Sequence, residues 1–223
     1  QESLQALFGL GPSTATLVAM KSKIAQNLAP IIDNIQDSIR AADVKHLDET
    51  GLKIGGTLSW MHVSSTETCT HYRVDKKRGD LPQGIQGFVI HDHWKPYYKL
   101  ENVQHVLCNA HHLRELKALS EIEKEPWAIS MGKLLRWMLK LSHKFKHYDQ
   151  SIPERFLKKI LDKYDQIVRE GLSFHESRTP MNSLVLGQKR RGRAKKRIGH
   201  NLLIRLRDYK EDTLRFLWVR QAS

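Results

Sequence analysis

Two short apolar stretches of this chain end on a carboxylate: Val44-Lys45-His46-Leu47-Asp48 and Phe88-Val89-Ile90-His91-Asp92. On neighbouring strands of one sheet, Asp48 and Asp92 would converge and supply the hard oxygen ligands that a divalent cation prefers. The competing reading makes each Asp a turn-former whose side chain satisfies local amides. The elements around them decide between the two.

A helical region comes first. Leu17, Met20, Ile24, Leu28, Ile31, Ile35 and Ile39 repeat at three- and four-residue steps, with Ser13 placed to cap the start. Pro30 is expected to kink that helix, or to separate two helices near Ala29. From Ala42 the period becomes two. Val44 to Asp48 reads as a strand ending at the acid, Gly55-Gly56 as a hairpin turn, and Thr57 to Ser64 and Cys69 to Val74 as the next strands. Phe88 to Ile90 and Val103 to Cys108 then supply two buried strands separated by a crossover, which predicts a mixed sheet with helices.

The second half is helical. Trp127, Met131, Leu134, Met138, Leu141 and Phe145 form one apolar seam, and Phe156, Ile160, Tyr164 and Ile167 form another, as expected of a helical hairpin. An irregular stretch is expected from Gly171 to Gly199, followed by one last helix carrying Leu202, Leu206, Tyr209, Leu214 and Leu217.

Thirty-seven Lys and Arg against twenty-four Asp and Glu give a net charge of +13, and seven of the ten residues from Gln188 to Arg197 are basic. An excess both spread and concentrated suits a long polyanion such as DNA, because each neutralised phosphate releases condensed counterions. The basic run contains Lys189, Arg190, Arg191, Arg193, Lys195, Lys196 and Arg197. With only Cys69 and Cys108, no disulfide framework is indicated, and no stretch reads as a membrane span or secretory signal. A cytoplasmic location is expected. The first residue is Gln1 rather than Met, which suggests that a longer protein has been cut or that its beginning is not included.

Several motifs together resemble one family. His46-Leu47-Asp48-Glu49-Thr50-Gly51, Trp60-Met61-His62-Val63, Val89-Ile90-His91-Asp92-His93-Trp94, Cys108 to Glu115 and Leu202 to Leu217 are similar, in order and spacing, to the bacterial insertion-sequence-66 transposases. The resemblance covers residues 8 to 217. It implies an α/β, ribonuclease-H-like fold with a five-stranded mixed sheet, flanking helices and an inserted helical hairpin. The segments would be a helical 1–42, a catalytic core over 43–125, the insertion over 126–172, a basic loop over 173–200 and a closing helix over 201–223.

The same resemblance implies DNA cleavage and strand transfer by a site of three acids holding Mg2+ or Mn2+, with DNA ends and target as partners and self-association left open. Asp48 and Asp92 match the first two acids, while Glu49 points to the other face of its strand. The family's third acid lies in an Asn-Asn-x-x-Glu segment after the closing helix, and here the sequence runs instead Trp218-Val219-Arg220-Gln221-Ala222-Ser223. A truncated transposase with impaired chemistry is therefore expected, its alternative a non-catalytic DNA-binding or self-associating remnant. Glu211 is a candidate substitute to which the resemblance assigns no role. His111 and Arg114 fall in the matched segment as candidate phosphate contacts. His105, Cys108 and His111, with His112 or Cys69, form a weaker zinc pattern, and Trp94, Tyr97 and Tyr98 either stack on bases or pack in the core.

Overall fold

A computed structural model describes residues 2–9, 11–177 and 197–219. The run from Lys189 to Lys196 lies outside the described residues, and Arg197 lies within them. Five strands form one mixed sheet in the order β3-β2-β1-β4-β5. This is the α/β architecture expected of a ribonuclease-H-like fold, with helices flanking the sheet. The chain divides into two compact units, residues 1–86 and 87–223.

In the first unit a short helix α1 (Glu2–Phe8) precedes α2 (Thr14–Ala41). Ser13 caps α2, its hydroxyl accepting the Thr16 N–H at 3.1 Å. One helix continues through Pro30, so the region does not divide into two helices near Ala29. Proline removes one intrahelical hydrogen bond, and the surrounding turn is exposed, so water can satisfy the carbonyl left free.

The antiparallel strands β1 (Val44–Ile54), β2 (Thr57–Ser65) and β3 (Thr70–Asp75) follow. Gly55 and Gly56 both take positive φ, 56° and 81°, as a tight two-residue hairpin requires. Because the reversal occurs there, β1 does not end at Asp48. Pairing continues from Asp48 opposite Val63 to Ile54 opposite Thr57, so Asp48 lies mid-strand. Alternation then turns Lys45, Leu47 and Glu49 to one face and His46 and Asp48 to the other.

In the second unit β4 (Gly87–His91) and β5 (Val103–Leu107) pair in parallel, joined through a 3-10 turn at Lys95–Lys99. Helix α3 (Asn109–Glu121) leaves β5 directly, and α4 (Pro126–His147) and α5 (Glu154–Glu176) form the expected hairpin. Trp127, Met131, Leu135, Met138, Ile160, Tyr164 and Ile167 are buried in its seam. Helix α5 continues past Gly171 instead of loosening there. A Cβ on Gly171 would lie 2.7 Å from Leu203 Cδ2 and 3.0 Å from Trp127, so glycine is what lets these helices approach.

The closing segment is not one helix. Helix α6 (Ile198–Asp208) ends at Tyr209, whose φ of −114° and ψ of 34° leave the helical region, and α7 (Lys210–Leu214) starts anew. The turn places the Tyr209 ring edge-on to His93, with centroids 4.3 Å apart.

Candidate functional site

Asp48 is exposed, and its Oδ1 accepts the N–H of Glu49 at 2.9 Å. Glu49 behaves as its opposite orientation predicts. Its side chain is 1% exposed and receives both Nε and Nη2 of Arg78 on Oε1, at 2.9 and 2.6 Å. Arg78 also lies over the Trp60 ring, 4.8 Å from its centroid. The two neighbouring acids thus have separate roles: Glu49 is held in an ion pair, and Asp48 faces solvent.

Asp92 begins immediately after β4, where its Oδ1 accepts the Trp94 N–H at 2.8 Å. That local bond is the turn-forming use of Asp, and it also fixes the carboxylate at the mouth of a cavity of about 230 Å3. His93, Cys108, His111, His112, Glu115 and Arg205 share its lining. Arg205 forms a two-pronged pair with Glu115, one contact being Nη1 to Oε1 at 3.1 Å. The geometry suits Arg because its planar fork matches a carboxylate.

Histidines around Asp92 are held largely neutral. His91 donates from Nδ1 to the Asp92 carbonyl, which leaves Nε2 to accept from His105 Nδ1 at 2.8 Å. Burial pushes His91 down to about 4, the Asp92 carbonyl partly opposing the shift. Burial likewise takes His112, which bonds Asn109 Oδ1 at 3.0 Å, down to about 3. His93 is lowered by burial and then by Arg205. For Cys108 burial works against ionisation, yet hydrogen bonding and charge from His111 and the amides of Ala110 and His111 lower the thiol overall.

Of the two cationic candidates on α3, His111 lines the Asp92 cavity, whereas Arg114 is exposed and reaches the Ala110 carbonyl at 3.4 Å. The guanidinium beside Asp92 is Arg205, which the sequence reading missed. Its partner Glu115 lies within the matched segment, but with a side chain 35% exposed it does not by itself call for a cation. His105 and Cys108 diverge as strand alternation predicts: His105 meets His91, and Cys108 meets His111. No group of three potential ligands is placed to hold a metal ion among the described residues. Tyr97 and Tyr98 pack rather than project. Tyr97 is 1% exposed and stacks on His91, and Tyr98 packs against His91, His93 and Tyr209. Trp94 meets Tyr97 edge-on.

Glu211 is exposed, whereas Asp212 turns inward, pairs with Arg215 at 2.9 Å and raises the pKa of His105 against the effect of burial. Arg215 in turn donates from Nε to the His105 carbonyl at 2.8 Å. No helix is long and apolar enough to cross a membrane among the described residues.

No curated protein and no solved structure matches this chain. The sequence profile described as the transposase IS66 family matches residues 1–203, a span that includes Asp48, Asp92 and the α3 segment. A match over so much of its length makes the chain a member of the IS66 transposase family.

Proposed function

We propose that the chain catalyses DNA strand cleavage and strand transfer by phosphoryl transfer, with Asp48 and Asp92 as ligands of Mg2+ or Mn2+. The observation that carries this reading is the position of both acids in family motifs within the matched residues 1–203. Each acid commits one oxygen to a main-chain amide, and such a carboxylate suits a hard cation that keeps several of its waters. When bound, the metal supplies an activated oxygen nucleophile and stabilises the departing oxygen at phosphorus.

The protein's own groups divide the remaining work. The amides of Glu49 and Trp94 orient the two carboxylates. Neutral His91 and His112 keep competing positive charge away from Asp92, while Arg205, anchored by Glu115, presents a fixed guanidinium at the cavity. His111 at the cavity, Arg114 on the exposed side of α3 and the basic residues Lys189, Arg190, Arg191, Arg193, Lys195, Lys196 and Arg197 are read as phosphate contacts. Residues 43–125 are read as the catalytic core and 126–172 as its helical insertion.

The test is a supercoiled plasmid carrying candidate insertion-sequence ends, incubated with Mg2+ or Mn2+. Metal-dependent nicking is expected. Asp48→Ala and Asp92→Ala should each reduce it on the order of a thousandfold, as withdrawal of several kcal/mol of metal-borne stabilisation implies. DNA binding without nicking by the unaltered chain would overturn the catalytic reading and leave a DNA-binding protein.

A further inference from the structure

The first unit contains a cavity of mixed polar and apolar lining that the chemistry at Asp48 does not use. Strand register places His62 opposite Arg73 and Ser64 opposite His71, all on one face of β2 and β3. Asp48 pairs with Val63, and Val63 with Tyr72, on the other face. The first face, the end of α2 and the stretch from Pro82 to Ile85 line a half-open cavity of about 160 Å3, whose polar side chains include Gln36, Arg40, His62, Ser64, His71 and Arg73. That is well above the roughly 15 Å3 needed to admit a single water.

Its walls are built rather than incidental. Gln36 Nε2 and His71 Nε2 lie 3.2 Å apart in a hydrogen bond that orients the imidazole. Arg73 is anchored from behind by Asp75 at 2.8 Å through Nε and by the Asp80 carbonyl through Nη2. Arg40 is held by Asp37 at 2.8 Å and Gln36 Oε1 at 3.3 Å. None of these three acids lines the cavity. His62 donates toward the Lys77 carbonyl at 3.4 Å and lies 3.7 Å from Asp75. Both guanidiniums act on His71, whose pKa is lowered first by burial, then by Arg73, then by Arg40.

Two guanidiniums, an imidazole and a hydroxyl thus approach one space from a helix end and two strands. Donors arriving from several directions suit a tetrahedral oxyanion better than a planar carboxylate, which one Arg fork would satisfy. We propose that this cavity binds a phosphate group, and that the group is presented by the backbone of DNA at the cavity's open side, where the Arg40 and Arg73 side chains are 46% and 39% exposed. The DNA part rests on the function proposed above, whereas binding of the free anion does not.

The first arm titrates inorganic phosphate into the whole chain and follows the His71 imidazole by NMR. Saturable binding should raise the His71 pKa, sulfate should compete, and acetate at equal ionic strength should not. Arg73→Gln should weaken phosphate at least about tenfold, while Arg73→Lys, which keeps the charge and controls for folding, should retain part of the binding. An unshifted His71, or acetate binding as well as phosphate, would overturn the site.

The second arm measures binding of a mixed-sequence DNA duplex across a range of salt. Arg73→Gln should lower the slope of log K against log salt by about one and leave plasmid nicking chemistry with bound DNA intact. Phosphate saturation combined with an unchanged DNA slope would reject DNA as its source. Loss of nicking in Asp48→Ala with an unchanged His71 response would leave this site standing apart from the catalytic one.

Discussion

Residues 2–86 and 87–219 bury apolar and polar groups in different proportions. The second unit has a continuous apolar core in which Met131, Met138, Tyr164, Leu202, Leu203 and Leu206 are fully enclosed. The first buries a few apolar side chains, Ile39, Leu47, Leu81 and Ile85, beside Lys45, Ser59 and His62. Lys45 is 0% exposed and bonds the carbonyls of Arg40 at 3.0 Å and Gln86 at 2.6 Å. Burial lowers its pKa, Asp43 partly offsetting the effect. Both units bury polar groups, but in the first they rival the few apolar side chains, whereas in the second His91, His112, Glu125, Ser142, His175 and Thr213 sit within a far larger apolar core. The teaching is that a single sheet can join regions with different sensitivities to mutation.

The largest expected effect is in the apolar core. Leu203→Ala should destabilise the second unit by about 2 to 5 kcal/mol, since Leu203 is 0% exposed and its removal leaves a cavity. Urea unfolding measures the loss. Gly171→Ala should cost about 1 to 3 kcal/mol by overpacking against Leu203. Combining the two should cost less than their sum, because the smaller side chain makes room for the new methyl. Strict additivity would mean that these helices do not meet as closely as described.

A smaller effect sharpens the contrast from inside the second unit, where His112 is one of the polar side chains enclosed by the apolar core. Its folded pKa is lowered from 6.5 to about 3 by burial, so between those values the unfolded chain binds a proton that the folded chain does not. Stability must then fall as pH drops from 6.5 toward 3. At pH 5 the loss from this residue should be about 2 kcal/mol relative to pH 7. His112→Gln should remove that part of the pH dependence, read from denaturant midpoints at the two pH values. An unchanged dependence would show that His112 accepts its proton without opening the core.

Much of this organisation was legible in the sequence. Ser13 caps its helix, Gly55-Gly56 turns the hairpin, and the seams from Trp127 and Ile160 face the core, because these features depend on local geometry and period. What period could not supply was the identity of the cover over each face. Alternation placed Lys45 and Glu49 together on β1 without indicating that both would be enclosed. Arg205 reaches Glu115 across a separation of 90 residues, which no local pattern encodes. The apolar pattern of Val44 to Asp48 stops at the acid, yet cross-strand pairing and the Leu58 and Trp60 side chains packed over Gly51 extend the strand beyond it.

The smallest expected effect lies on α2. Leu17, Met20, Ile24, Leu28, Ile31, Ile35 and Ile39 advance by 3, 4, 4, 3, 4 and 4 residues, an eleven-residue repeat of the kind that keeps one face nearly straight along a helix. Such a face would ordinarily be covered, but Ile24 is 58% exposed and Ile31 55%. Ile24→Ala should therefore change stability by no more than about 0.5 kcal/mol, and helix propensity favours the alanine. Denaturant unfolding at two protein concentrations tests this. A loss above about 1 kcal/mol would break the contrast with Leu203, because an exposed side chain has few contacts to lose. Dependence of that loss on protein concentration would further mean that other copies of the chain cover the face in solution.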